Sequence, residues 1–306
     1  MLADVLCFGN LQLDILCRTV TALPPPGGLQ MINAIDFALS GNAGNVAAVL
    51  ARLGIGVDLA GYIGADIFGE QFRTILSQMG IGTELLQCHA AGGTGTSVIA
   101  LSPSGERSIL FVNGANALFD LHAVPDSWLQ GRRVVSVGSV FVLPQFTGEA
   151  VAHLFKRAHS YGAKTVLNIC WDGQGQGLSF LLAALAQTDY FVLSYDEGRQ
   201  LTGHTEARGI VARLQPYVRG QVILTLGSAG CCLFAEERLQ HIPALPVEAT
   251  DCTGAGDGFT AGLIAGLVEG LSLPDAAGLG CKVASFAVTG PGAYPRVPSL
   301  AEMKIG

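Results

Sequence analysis

Residues 247–270 read VEATDCTGAGDGFTAGLIAGLVEG: an extended polar segment, then Gly254-Ala255-Gly256-Asp257, then a long apolar run of helical character. Small residues at such a junction let a ligand approach the first helical turn, whose N–H groups are unpaired and carry the positive end of the helix dipole. That combination makes an anion site. In phosphoryl transfer the charge to be stabilised lies on the moving phosphoryl oxygens, so donors fixed there act at the transition state. Asp257 would sit in the same turn, where the dipole favours an ionised carboxylate able to accept a hydroxyl proton. On composition alone the stretch has a second reading: Asp257 caps a buried helix and the glycines only allow close packing.

Other glycine-rich and charged features narrow the chemistry. Gly173, Gly175 and Gly177 follow a strand-like run, but a dinucleotide-binding turn needs a glycine at 178, where Leu178 stands. No G-x-x-x-x-G-K-[ST] occurs, and Lys156, Lys164, Lys282 and Lys304 all lie outside glycine loops, which excludes a Walker-type phosphate site. The net charge of −7 argues against nucleic acid as the main ligand. It does not exclude one nucleotide held by backbone N–H groups. The eight cysteines include no C-x-x-C pair and sit mostly in apolar runs, as expected of reduced core thiols rather than disulfides or zinc ligands.

The elements that must position these residues follow an α/β rhythm. Strand-like runs at 5–8, 57–63, 134–137, 165–169, 190–193 and 222–226 alternate with helix-period segments at 43–53, 68–79 and 147–160, which predicts βαβ units on a largely parallel sheet. The strand-like runs are nearly all apolar, as when helices cover both faces. Two stretches break the rhythm. Residues 12–38 carry a Pro24-Pro25-Pro26-Gly27-Gly28 turn, and residues 95–113 read as a hairpin about 103–106. Together they would form a small separate sheet, read here as a lid over the substrate site, with surface ornament as the other reading. At 306 residues the chain fits one large α/β domain with the lid segments inserted as well as it fits two domains. The apolar run 255–273 is interrupted by Asp257, Glu269 and glycines, and the start, MLADVLCFGN, has no basic n-region; a cytoplasmic protein is expected.

The segment Asp251-Cys252-Thr253-Gly254-Ala255-Gly256-Asp257 resembles the D-T-x-G-A-G-D signature of the ribokinase-like (PfkB) carbohydrate kinases. A second signature of that family is matched by residues 40–47, SGNAGNVA, and then by GYIGADIFG at 61–69. Gly9-Asn10 and Asp14, NGANA at 113–117, TLGSAG at 225–230 and VTGPGA at 288–293 continue the likeness in the family's order over nearly the whole chain. The resemblance implies a three-layer α/β/α fold with a β-sheet lid, ATP as phosphoryl donor, Asp257 as catalytic base and Gly254, Ala255 and Gly256 as the anion hole. It implies that Asp14, Gly41, Asn42 and Asn45 line the sugar pocket, with Asp14 accepting from sugar hydroxyls. On the nucleotide side it implies Thr225, Gly227, Ser228 and Gly230, with Cys281 near the adenine where relatives often carry asparagine.

The family's N-x-x-E motif, which organises the water shell of magnesium, is matched by Ser194-Tyr195-Asp196-Glu197, with Ser194 in place of the asparagine. Glu197 keeps the acidic position. Mg²⁺ would be held chiefly by ATP phosphates and water, as this reluctantly dehydrated ion prefers. Some members bind a monovalent cation such as K⁺ beside the anion hole; Asp251, Thr253 and the 288–292 loop could supply its oxygens. A sugar acceptor would lean on Asp14, Asn42, Asn45 and Arg107 of the lid. A nucleoside would also need an apolar slot for its base, which Phe37, Phe111 or Tyr62 could line. A kinase-fold protein that only senses its ligand is the alternative of another class. The exposed face of a small lid sheet is compatible with a homodimer formed through the lid.

Overall fold

The computed structural model describes residues 3–103, 106–235, 238–290 and 292–303. The expected hairpin turn at Ser104 and Gly105, Pro291 of the 288–292 loop, and Lys304 lie outside the described residues. In chain order the strands are β1 (Val5–Phe8), β2 (Gln12–Arg18), β3 (Ala34–Ser40), β4 (Val57–Gly64), β5 (Leu86–His89), β6 (Thr96–Leu101), β7 (Arg107–Val112), β8 (Val134–Val137), β9 (Lys164–Asn168), β10 (Tyr190–Ser194), β11 (Gln221–Thr225), β12 (Cys231–Ala235) and β13 (Arg238–Ile242). The helices are α1 (Asn42–Leu53), α2 (Ile67–Gln78), α3 (Asp126–Leu129), α4 (Gly148–Ser160), α5 (Gly177–Leu185), α6 (Tyr195–Thr202), α7 (Ala207–Leu214), α8 (Ala255–Val268), α9 (Leu273–Ala287) and α10 (Leu300–Met303).

Nine strands form one sheet in the order β13-β12-β11-β10-β9-β8-β1-β4-β5. All pair in parallel except β12, which runs against both neighbours. The alternation of side chains along each strand divides the core. Val5 and Cys7 of β1 enter one apolar cluster with α1, α8 and α9, while Leu6 and Phe8 enter the other with α4, α5 and α7. Helices cover both faces, which is why the parallel strands carry unbroken apolar runs. The predicted strands at 5–8 and 134–137 are β1 and β8. The helix expected from 147 begins at Gly148, because the Thr147 hydroxyl caps it by accepting from the Ala150 amide at 3.2 Å. The antiparallel edge formed by β12 and β13 was not foreseen in the βαβ reading; it follows a tight turn at Gly230 rather than a crossover helix. No helix among the described residues is long and apolar enough to cross a membrane.

The two segments that break the rhythm make a separate four-stranded sheet, ordered β3-β2-β6-β7. Its register sets two faces. Asp14 pairs with Ala38 and Ser97, and Ser97 with Phe111, so these side chains share the inner face, with Arg107 opposite Leu101 at the far end of the same face. Phe37, Ile15, Val98 and Leu110 form the neighbouring row and point the other way.

α8 carries the candidate chemistry and is buried on all sides from Gly258 to Val268. It packs on α9 so closely that a Cβ at Gly262 would lie 2.8 Å from the Cα of Gly280 and 2.9 Å from the Leu279 carbonyl oxygen. Backbone cannot yield as a side chain can. Gly262→Ala should therefore cost about 1–3 kcal/mol through overpacking, read as a lower urea midpoint with unchanged slope.

Candidate active site

α8 starts at Gly254, whose φ of 74° is left-handed and whose Cβ would fall 2.3 Å from that of Ala293. Only glycine meets both demands. The loop before it is pinned: the amides of Thr250 and Asp251 donate to the Val288 carbonyl at 2.8 and 3.2 Å. In the first turn the Ala255 amide makes a 3.3 Å turn bond to the Cys252 carbonyl, and the Gly258 amide bonds Gly254 at 2.7 Å. The Gly256 and Asp257 amides have no backbone partner among the described residues. A Cβ at Gly256 would meet nothing within 4 Å. Packing does not require glycine there, and the space it leaves opens into a cavity.

The Asp257 carboxylate forms part of that cavity, about 320 Å³, together with Asn42, Asn168, Glu197, Thr225 and Gly254 to Gly256. Asn42 Nδ2 donates to Asp257 Oδ1 at 2.6 Å and Asn45 Nδ2 to Oδ2 at 2.8 Å. Both come from the first turn of α1, which packs on α8. Asn42 also donates to Asn168 Oδ1 at 2.9 Å, at the end of β9. Protein packed around Asp257 pushes its pKa up to about 6; the Asn45 and Asn42 donors oppose the rise and the nearby Glu197 charge adds to it. A carboxylate so placed is charged at neutral pH yet more basic than a free aspartate.

On the lid side of Asn45 lies a second cavity of about 420 Å³, lined by Asp14, Leu16, Arg18, Ser40, Ile99 and Arg107 among others. Asp14 is buried, its pKa raised by that burial against hydrogen bonds from Ser40, Gln12 and Ser97. Asn10, Gln12 and Asp14 alternate along the chain and connect side chain to side chain, Asn10 Nδ2 donating to Gln12 Oε1 at 2.8 Å and Gln12 Nε2 donating to Asp14. Arg107 reaches from the lid across this cavity and donates to the Asp251 carboxylate and the Thr253 hydroxyl.

A third cavity, about 440 Å³ and largely apolar, lies on the far side of the α8 start. Thr225, Gly227, Ser228, Gly230 and Cys281 all line it, and it shares Thr225, Cys252, Ala255 and Gly256 with the Asp257 cavity. Glu197 lines the Asp257 cavity from α6. Ser194 caps that helix, its hydroxyl accepting from the Glu197 amide at 3.3 Å while Glu197 Oε2 accepts from the Ser194 amide at 2.7 Å. Burial raises the Glu197 pKa against these bonds, so it is no exposed helix residue. The Gly173 to Gly177 run has another use: the amides of Gln174 and Gly177 donate to the buried Asp172 carboxylate at 3.3 and 2.7 Å. Its N–H groups hold a protein carboxylate, not a phosphate.

The family model for pfkB family carbohydrate kinases matches residues 2–300. The chain belongs to that family. It is 32% identical to a fructokinase of Klebsiella pneumoniae over 74% of this chain and 76% of that one, and 29% identical to a ribokinase of Haemophilus influenzae over 87% and 86%. Its fold superposes on an Arabidopsis thaliana ribokinase complexed with ribose and ATP with a TM-score of 0.86 and 24% identity, covering 100% of this chain and 98% of that one. The protein is a kinase, an ATP-dependent phosphotransferase acting on a hydroxyl of a sugar or sugar-like molecule.

Most of the residues expected in a pfkB site gather around the start of α8, with two corrections. Gly41 is not among the residues lining the acceptor cavity or the Asp257 cavity: with φ 82° it precedes α1, and a Cβ there would lie 2.3 Å from the Asn10 carbonyl oxygen, so the packing of the chain already requires glycine. Asn42 faces Asp257 rather than the lid-side cavity, because the first turn of α1 divides its two asparagines between the cavities. Asn168, Gln12, Ser97 and Trp171 were not foreseen. A polar residue closing an apolar strand, as Asn168 closes β9, is the signal that marks it, since ligands bind at the carboxyl ends of parallel strands.

The raised Asp257 pKa sets a pH limit. As a general base Asp257 would act deprotonated, so log kcat/KM should fall with unit slope as pH drops below about 6 and level off above it. A profile flat down to about pH 5 would exclude Asp257 as the titrating base.

Proposed function

We propose that the protein phosphorylates a small sugar, with the acceptor in the lid-side cavity and ATP in the apolar cavity beyond the α8 start. The observation that carries this reading is the position of Asp257 between the two, held by Asn45 from the acceptor side and adjoining the unpaired amides of Gly256 and Asp257 on the other. Asp14 would accept from sugar hydroxyls, and Arg107 would close the cavity from above. A hydroxyl brought to Asp257 gives its proton to the carboxylate as its oxygen bonds the γ-phosphorus and the bond to ADP breaks. The Gly254, Ala255 and Gly256 turn offers its amides to the charge on the transferring oxygens.

The lining of the acceptor cavity favours a sugar over a nucleoside. Among the described residues that line it there is no aromatic side chain: Phe37 points outward from the lid, Phe111 is on the inner lid face but does not line the cavity, and Tyr62 packs against His89 and edge-on to Phe119 with ring centres 5.0 and 4.9 Å away. Leu16, Leu39, Ile99 and Leu101 offer aliphatic walls instead.

Magnesium suits the donor set of the Asp257 cavity. Glu197 has Oε2 engaged with Ser194 and leaves Oε1 for a metal-bound water. When bound with ATP the ion would neutralise phosphate charge. A bare monovalent cation fits less well, because Asp251 and Thr253 already accept from Arg107. We read the chain as one kinase unit with the lid strands inserted, working in the cytoplasm where ATP is supplied. The outer lid face, with Ile35, Phe37, Leu110 and Val112 each more than half exposed, suits a second copy of this chain.

Asp257→Asn should bind sugar and ATP within a few-fold of the parent while losing at least about 100-fold in kcat; near-normal turnover would overturn the base assignment. The acceptor class is read from ADP release with sugars, sugar acids and nucleosides in the presence of ATP and Mg²⁺. Turnover of nucleosides alone would refute the sugar reading, and turnover of none would favour a sensor. Light scattering should give twice the chain mass, and Phe37→Glu with Leu110→Glu should halve it.

A further inference from the structure

Arg107 does something that lining a sugar pocket does not require. It opens β7 on the inner face of the lid, opposite Leu101, and its guanidinium reaches the loop leading into the anion hole. One terminal nitrogen donates to Thr253 Oγ1 and the other to Asp251 Oδ1, a forked contact with two groups of one turn. Asp251 Oδ1 also accepts from the Thr253 amide at 2.8 Å, so a single carboxylate oxygen ties the lid to the residue preceding Gly254.

The loop needs a positive charge at that point. Asp251 is only 17% exposed, and Arg107 is the cation paired with it among the described residues. Without that partner an unneutralised carboxylate would stand six positions before Asp257, beside amides meant for phosphate oxygens, where a second negative charge opposes the reaction. Burial would raise the Asp251 pKa, but the Thr253 hydroxyl and amide together with Arg107 hold it below its usual value, so the charge is present at neutral pH. A bound monovalent ion is one means of supplying the counter-charge, and Arg107 already holds two of the oxygens named for it, while Asp251 Oδ2 has the Gly292 amide at 3.5 Å. Asp251 Oδ1 and Thr253 Oγ1 accept from Arg107, and the Val288 carbonyl accepts from the Thr250 and Asp251 amides. Arg18, the other arginine of the cavity, shares the Leu101 row with Arg107 but lies by Asp36 of β3 at 3.3 Å.

We infer that Arg107 is a positioning residue that takes the place of a monovalent cation: the lid carries the counter-charge of the anion-hole loop, so closure of the lid, not potassium, completes the site. Resting on the kinase reading above, this gives lid closure a second consequence besides covering the sugar. An open lid would leave the Asp251–Thr253 turn without its cation and the start of α8 less ordered, which restrains ATP hydrolysis when no sugar is bound.

The test compares the parent with Arg107→Ala, Arg107→Lys and Asp257→Asn in buffers whose sole monovalent cation is sodium, potassium or tetramethylammonium. Parent kcat should agree within about twofold across the three. Arg107→Ala should lose at least about tenfold in kcat, with partial recovery on adding guanidinium or potassium, because misplacement of the anion hole acts on the chemical step. Lysine at 107 should recover less than half of the loss, lacking the fork that spans two acceptors. Asp257→Asn should gain nothing from either cation. Hydrogen exchange, which needs no turnover, should quicken at residues 250–257 and in β7 of Arg107→Ala and stay unchanged in α4. Potassium activation of the parent by more than about tenfold, a rise in KM without loss of kcat, or unchanged exchange at 250–257 would each overturn the inference. If the kinase reading itself fails, the parent turns over no acceptor while the exchange result still reports on the Arg107 contact.

Discussion

On the roles proposed here, a carboxylate that would collect a proton stands within one helical turn of the amides that would meet a phosphoryl group, and both tasks involve negative charge in the same small volume. Asp257 could not be moved away, because the hydroxyl it would deprotonate is the one that would attack. The structure resolves the conflict by dividing the neighbouring donors. Asn42 and Asn45 of α1 take the two carboxylate oxygens, while the Gly256 and Asp257 amides stay unpaired. Burial then raises the pKa to about 6, so that the base keeps proton affinity although two amide donors oppose it. This division joins the first turn of α1 to the start of α8, two helices that also share one apolar cluster.

The glycines of the signature answer to different constraints. Gly254 is required by a left-handed φ and by Ala293, at the point where the chain turns into the helix. Gly256 faces open space, so its lack of a side chain serves only what enters the cavity. Gly258 and Gly262 are packing residues against α9. The two sequence readings of this stretch, a ligand turn and a close-packed helix, therefore apply to different positions: open space at Gly256 suits the first, and packing at Gly258 and Gly262 belongs to the second.

Much of this was legible in the chain. The run of apolar strands separated by helix-period segments gave the parallel sheet, because a strand buried on both faces has no polar positions to confuse its reading. The two interruptions gave the lid. Asp14, Asn45, Asp257 and the nucleotide-side residues follow from motifs whose spacing is local. What remained hidden depends on contacts between distant segments. Gly41 looks like a pocket glycine until its neighbour Asn10, some thirty residues earlier, is seen to press against it. Asn168 carries no motif, and its role exists only because α1 lies across the end of β9. Ser194 reads as a lost asparagine, whereas in the fold it is the cap that orients Glu197.

The same limit explains Arg107. In sequence it is one polar residue near a hairpin turn, 144 positions from Asp251, and its nearest plausible partner is a sugar hydroxyl. The strand register changes that assessment. Because β6 and β7 pair antiparallel with Arg107 opposite Leu101, the side chain falls on the inner face at the end of the lid furthest from Asp14, which directs it to the α8 loop and not to the centre of the acceptor cavity. A sheet made from two insertions thus has two functional ends. Asp14 and its hydrogen-bonded neighbours line the acceptor cavity at one, and a guanidinium meets the loop before α8 at the other. Since both ends belong to one four-stranded sheet, on the inferred role of Arg107 a sugar that drew Asp14 down would also bring Arg107 to Asp251, coupling recognition to catalysis without any contact between the sugar and the nucleotide cavity.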